Sequence, residues 1–165
     1  MSGIIDNELE LEDMLKDRYL TFSIGQEIYG VEVRYVIEIV GIKTIAEITE
    51  IPELPEYVKG IINLRGKIIP VLDLRLRFRK EPKDYDDRTC VIVIDIMGKY
   101  VGLIVDSVAE VTTIPEEEVD EPPRLSKGFS NKCVKKIGKV GSEVRLLLDC
   151  EMLLSEDDIV EIGSF

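Results

Sequence analysis

The chain has 165 residues, 45% of them hydrophobic and 33% charged, with a formal net charge of −12. That balance supplies enough apolar material for a packed core and argues against disorder over the whole length. An acidic surface repels phosphate backbones and anionic lipid, so nucleic acid and membrane insertion are excluded as first expectations.

Histidine is absent, which removes the commonest general base and the commonest metal ligand together. Cys90, Cys133 and Cys150 are odd in number and unpatterned in spacing, as expected of reduced structural thiols in the cytoplasm. No apolar run approaches the roughly 18–20 residues that cross a bilayer. Met1-Ser2-Gly3 leads directly into acidic sequence, without the basic and apolar regions of a signal peptide.

Residues 1–18 read as an acidic N-terminal extension in which Leu9, Leu11, Met14 and Leu15 suit a helical turn. Leu20, Phe22 and Ile24 then alternate, predicting a strand over 19–24, a turn at Gly25-Gln26 and a returning strand over 27–31. Val33, Val36, Ile37 and Val40 fall at i, i+3, i+4 and i+7, which predicts a short helix. Residues 42–51 are strand-like, and Pro52 and Pro55 break regular structure. Residues 57–64 and 67–74 predict a strand pair turning near Gly66, with its ladder interrupted at Pro70.

The polar segment 80–88 is the best internal boundary. Beyond it, strands are expected over 89–96 and 99–105, and another helical turn over Ile104, Val105, Val108 and Val111. A polar loop over 115–132, a strand pair over 133–140 and 143–149, and a helix over 150–158 complete the reading.

The second half repeats the first. Laying Ile28–Ile39 over Tyr100–Val111 matches Gly30 with Gly102, Val33 with Val105, Val36 with Val108 and Glu38 with Glu110. Later, Asp73 closes one strand pair as Asp149 closes the other. About five short strands per half predict a mainly β fold of two small barrels. Neither half would bury much core alone, so the two are expected to form one cooperative unit over a shared apolar seam.

Chemical motifs fail on their mechanics. Gly60 through Gly66-Lys67 has five residues between its glycines, and Ile68 stands where a phosphate loop needs Ser or Thr. No Cys-x-x-Cys and no Gly-x-Ser-x-Gly occurs. The paired Asp73 and Asp149 suit turn capping better than acid–base work. Arg75, Arg77, Arg79 and Lys80 form the only basic cluster and suit a solvated helix face or local salt bridges. No catalytic residue, metal ligand or cofactor is therefore expected. Arg65, in a turn beside Gly66, has the planar fork that suits a carboxylate within the protein or on a partner. Glu38 interrupts an apolar stretch, and is either at the mouth of an interface or on a solvated helix face.

The strings Tyr29-Gly30-Val31, Tyr57 through Arg75 and Val101 through Asp106 closely resemble the CheW-type chemotaxis coupling proteins, over about residues 19–155. The resemblance implies two intertwined five-stranded SH3-like barrels on a common core, with short helices and no catalysis. The first barrel is expected at about 19–79 and the second at about 89–150, with room for their termini to interleave, within a single domain over 19–158 followed by a tail over 159–165. The resemblance implies two partners. One is the regulatory domain of the histidine kinase CheA, met by positions matching Leu20, Val33 and Val36. The other is the cytoplasmic hairpin tip of methyl-accepting receptors, met by positions matching Glu38, Gly60, Arg65, Val108 and Val111. Such a protein is expected to be cytoplasmic and recruited to membrane receptor arrays. The start at Met1 and the lack of receiver or ATPase motifs favour a stand-alone adaptor over a module of a larger kinase.

Overall fold

The computed structural model describes residues 10–122 and 132–153, apart from 12, 42 and 44–46. Eleven strands carry the fold among these residues: β1 (Arg18–Ile24), β2 (Glu27–Glu32), β3 (Val36–Val40), β4 (Val58–Leu64), β5 (Lys67–Asp73), β6 (Cys90–Ile96), β7 (Lys99–Val105), β8 (Ser107–Thr113), β9 (Val119–Asp120), β10 (Val134–Val140) and β11 (Glu143–Leu148). One short helix, α1 (Leu74–Arg77), follows β5.

The hairpins form where the sequence permits tight turns. Arg65 and Gly66 both take positive φ, 53° and 84°, as do Met97 and Gly98 at 50° and 85°. Two such residues make the turn whose twist matches that of the flanking strands. Asn63 supports the first turn, its side-chain oxygen accepting the Gly66 N–H at 2.9 Å.

The strands make a six-stranded sheet in the order β8-β1-β2-β11-β10-β9 and a five-stranded sheet in the order β3-β6-β7-β5-β4. The mainly β expectation holds. The sheets interleave segments from the two sequence divisions, 19–79 and 89–150, as the intertwined barrels implied by the resemblance require. β1 and β2 of the first half join β8, β10 and β11 of the second, while β6 and β7 join β3, β4 and β5. The two halves exchange their opening hairpins. Each barrel thus depends on both halves of the chain, which ties them into one folding unit.

The repeat extends to individual pairings. Gly30 lies beside Leu147 in the parallel β2–β11 ladder, and Gly102 lies beside Val71 in the parallel β5–β7 ladder. A Cβ on Gly102 would stand 2.8 Å from Val91 Cγ1, so a side chain there would force the strands apart. Asp73 N–H donates to Tyr57 O at 2.8 Å, and Asp149 N–H to Cys133 O at 2.7 Å. Both aspartates then cap a turn. Asp73 accepts from Arg75 N–H and Leu76 N–H, and Asp149 from Glu151 N–H. The capping role expected of this pair is the one observed.

The main core gathers Leu20, Phe22, Ile24, Tyr29, Val31, Leu72, Leu74, Ile92, Ile94, Leu103 and Leu148 from both sheets. Each fully buried aliphatic or aromatic side chain contributes about 1.5–3 kcal/mol. Phe78, just past α1, stacks on Tyr29 with ring centroids 5.1 Å apart. Pro70 lies inside β5, at the position just before the β7 ladder begins at Val71. Its missing N–H therefore costs no bond to β7.

Two helix expectations are corrected. Only Val33–Tyr35 is helical in the first, as a single 3₁₀ turn, and Val36–Val40 is strand. In the second, β7 runs to Val105 and β8 begins at Ser107. Val36, Ile37, Ile39 and Val40 are all β-branched, and their stiff χ1 favours the extended chain. At the C-terminus Cys150–Leu153 forms a 3₁₀ turn, and the rest of the helix expected over 150–158 lies outside the described residues. Residues 10, 11 and 13–15 are helical, with Leu11 and Met14 exposed; Leu9 lies outside the described residues. Of the strand expected over 42–51, Thr49 forms an isolated bridge to Ile61.

Candidate interaction surfaces

Glu38 and Arg65 form the sharpest polar feature. β3, which carries Glu38, ends the five-stranded sheet on one side; β4, which leads into the Arg65 turn, ends it on the other. Arg65 NH1 lies 3.0 Å from Glu38 Oε1, and NH2 donates to Oε2 at 3.1 Å. This two-point fork joins the sheet's ends. The Arg65 side chain is 78% exposed and that of Glu38 20%. An exposed pair of this kind adds about 0–1 kcal/mol to stability. The pair sets a guanidinium and a carboxylate side by side at the surface. Lys67 stands on the same hairpin with its Nζ 3.6 Å from the Tyr100 ring centroid.

Apolar side chains surround this pair in the sequence. Ile37 and Ile39 on β3 and Ile68 on β5 are all exposed. The helical period assigned to 33–40 put Ile37 on the same apolar face as Val36 and Val40 and left Ile39 unassigned. Strand alternation would have set Ile37 and Ile39 on the face opposite Val36 and Val40. Val33 in the 3₁₀ turn and Val36 at the start of β3 are half-buried, so each keeps some surface.

Gly60 has φ 147° and is buried. A Cβ there would stand 2.0 Å from Thr49 O. The close backbone approach foreseen at Gly60 is therefore internal: Thr49 and Ile61 exchange hydrogen bonds of 2.8 and 2.9 Å across it. Leu20 is 4% exposed and sits in the main core, opposite Val31 and Val111 in its two ladders. Its side chain offers no outer surface.

Val108 and Val111 lie on β8, the end strand of the six-stranded sheet. Val108 packs against the main core, and Val111 is 48% exposed. The structure thus brings Glu38 and Arg65 together on one sheet and sets Val108 and Val111 on the other. β8 is the repeat counterpart of β3, with Val108, Glu110 and Val111 matching Val36, Glu38 and Ile39. The fork itself is not duplicated, because Gly141 occupies the position matching Arg65.

The sequence reading missed the pairing of Arg75 with Asp106. Arg75 Nε and NH2 donate to the two carboxylate oxygens at 2.8 Å each, and Gly25 N–H donates to Oδ2 at 2.8 Å. Burial pushes the Asp106 carboxyl up, but hydrogen bonds from Arg75 and Gly25 and the Arg75 charge outweigh it and hold it below the ordinary range. The rest of the basic cluster is also partly engaged. Arg77 donates to the Leu153 and Met152 carbonyls, and Lys80 pairs with Glu27 at 2.9 Å.

The cysteines are poorly set for nucleophilic work. Burial raises the Cys133 thiol and pushes Cys150 up to about 12. Asp73, besides its capping bonds, accepts from Tyr85 Oη at 2.8 Å. Among the described residues no group of three or more potential ligands is placed to hold a metal ion, and no helix is long and apolar enough to cross a membrane.

Two interlocked sheets, each ending in a repeat-matched strand with exposed apolar positions, define a module of two pseudo-symmetric β units. The CheW-like domain family matches residues 18–158, and the chain belongs to that family. It is 31% identical to the chemotaxis protein CheW of Klebsiella aerogenes over 164 residues, covering 99% of this chain and 97% of that one. It is 32% identical to the chemotaxis protein CheW of Thermotoga maritima over 152 residues, covering 92% and 97%. The crystal structure of the scaffolding protein TtCheW from Thermoanaerobacter tengcongensis superposes with a TM-score of 0.78 at 35% identity, covering 86% of this chain and 94% of that one. The two sheets are accordingly the two SH3-like barrels of this family.

Proposed function

We propose that this chain is a non-catalytic chemotaxis adaptor that couples methyl-accepting receptors to the histidine kinase CheA. The observation that carries the reading is the CheW-family match across residues 18–158, on a structure whose repeat-related end strands are both partly exposed. Relatives over nearly the whole length bear the name chemotaxis protein CheW, and a solved one is called a scaffolding protein.

The kinase regulatory domain meets the surface around Val33 and Val36, with Leu20 supporting it from beneath. The receptor tip meets Glu38 and Arg65 on one barrel and Val108 and Val111 on the other, with Gly60 shaping the first patch from inside. Apolar positions supply the buried area, and the Glu38–Arg65 fork supplies orientation. Holding both partners at once raises their effective concentration without any chemical step. Residues 19–158 act as one domain, working in the cytoplasm at receptor arrays with no cofactor.

Calorimetry of the chain against a receptor-tip fragment and against the kinase regulatory domain, separately, tests the proposal. Binding of each partner is expected. Failure to bind either one contradicts the coupling role.

A further inference from the structure

The chain passes between the two sheets at repeat-matched places, and they are built differently. One passage is Asp106, the single residue between β7 and β8. The other is Val33–Tyr35, between β2 and β3. Arg34 holds the position matching Asp106, and Val33 that matching Val105.

The Asp106 passage is fastened on every side. Its carboxylate accepts three hydrogen bonds of 2.8 Å, from Arg75 Nε, Arg75 NH2 and Gly25 N–H. Its own N–H donates to Ser23 O at 3.1 Å. Beside it the hydroxyls of Ser23 and Ser107 lie 2.6 Å apart. Arg75 and Asp106 side chains are only 17% and 14% exposed, so water competes weakly for these bonds. Arg75 NH1 also donates to Glu81 O, tying in the segment between the halves.

The Val33–Tyr35 passage has far less holding it. Tyr35 packs against the main core and its hydroxyl accepts from Arg34 NH2 at 3.0 Å, but none of the passage's three residues is fully buried, and Glu32 makes no side-chain capping bond. Arg34 is 59% exposed and pairs with Glu32 at 3.1 Å, in a setting where solvent takes most of the strength from an ion pair. The next residues are β3, which pairs only with β6 and carries Glu38 into the fork with Arg65.

We infer that Asp106 is a fixed pivot between the barrels and that Val33–Tyr35 is the yielding passage, so that a partner seated on Val33 alters the presentation of Glu38 and Arg65. The inference rests on the partner surfaces proposed above and adds a route between them. A contact that orders the turn fixes where β3 begins, and the fork at Glu38 moves with that strand. Thermodynamic linkage then makes the effect mutual: each partner changes the affinity of the other by the same factor.

Two measurements on the full chain test this. In amide hydrogen exchange of the free chain, Arg34–Val36 is expected to exchange about tenfold faster or more than Asp106–Val108. Equal rates, or slower exchange at Arg34–Val36, overturn the inequality of the passages whatever the partners are. In calorimetry, affinity for the receptor-tip fragment is expected to change by about threefold or more when the kinase regulatory domain is saturating, and less in Val33→Asp. Unchanged affinity in the wild type, with both partners bound, overturns the coupling and leaves the adaptor role standing. Absence of binding to either partner sinks the adaptor role and the coupling with it.

Discussion

Arg65 grips Glu38 through two parallel contacts, 3.0 and 3.1 Å long, from a turn at one end of the five-stranded sheet to the strand at the other. The repeat keeps the carboxylate as Glu110 but has Gly141 where the arginine would be. The two barrels therefore share a scaffold and differ in what they present. Arg65→Glu sets two carboxylates face to face at an exposed position. Affinity for the receptor tip is expected to fall about tenfold, equivalent to ~1.4 kcal/mol. Unfolding free energy should change by no more than about 1 kcal/mol. Calorimetry and urea denaturation read the two effects separately, and equal loss of kinase and receptor binding counts against the assignment.

Val33→Asp places a charge on the half-buried turn that leads into β3. Kinase-domain affinity is expected to drop by about tenfold or more, because an unpaired charge at the core of an interface is costly. Far-ultraviolet circular dichroism should be unchanged. Unaltered affinity removes this turn from the kinase surface.

Leu20→Ala tests the opposite expectation. Leu20 is a core residue, so truncation should cost about 2–5 kcal/mol of stability. Kinase affinity per folded molecule should fall far less than in Val33→Asp, within about threefold of wild type, because Leu20 supports the surface from beneath and offers no outer contact of its own. A selective loss of kinase binding in a fully stable variant would restore Leu20 as a contact residue.

Gly60→Ala would put a methyl group 2.0 Å from Thr49 O at a φ of 147°. The bridge to Thr49 must open or β4 must shift. A loss of about 3 kcal/mol or more is expected from combined clash and strain, read as a fall in Tm with the chain's cooperativity retained.

Asp106 carries a pH dependence of defined sign. Its folded carboxyl titrates below the ordinary range because Arg75 and the Gly25 N–H favour the charged form over the cost of burial. The folded state therefore binds fewer protons there than the unfolded state near the ordinary carboxyl pKa of about 3.9. The resulting stability is fully present above that value and is lost as pH falls through the lower, folded pKa. Asp106→Asn should cost about 1–3 kcal/mol at neutral pH and flatten the acid limb of stability against pH. An unchanged acid limb in the variant would show that the pair contributes nothing.

Much of this was legible in the sequence because it is local. Gly25, Gly66 and Gly98 mark hairpin turns, and alternation at Leu20, Phe22 and Ile24 marks a core-facing strand. The match of Gly30 with Gly102 foretold two related units. Which hairpins are exchanged was not legible in the residues, since nothing within β1–β2 encodes whether it pairs with β11 or β5; only the resemblance implied intertwined barrels. Residues 33–40 were read on a helical period, and the β-branched Val36, Ile37, Ile39 and Val40 decided for strand. Arg65 was legible as a fork suited to a carboxylate, and the resemblance set it on one surface with Glu38; their direct contact is seen only in the folded chain. The meaning of Gly60 and the lock at Asp106 depend on Thr49, Gly25 and Arg75, which only the folded chain brings near.

The coupling role is tested most directly by capturing tagged wild-type chain from a mixture of purified kinase regulatory domain and receptor-tip fragment, beside the Arg65→Glu and Val33→Asp variants. The account predicts that wild type retains both partners together, that Arg65→Glu retains the kinase domain and loses the receptor fragment, and that Val33→Asp does the reverse. Mutual displacement of the two partners from the wild-type chain, or retention of neither, would contradict it.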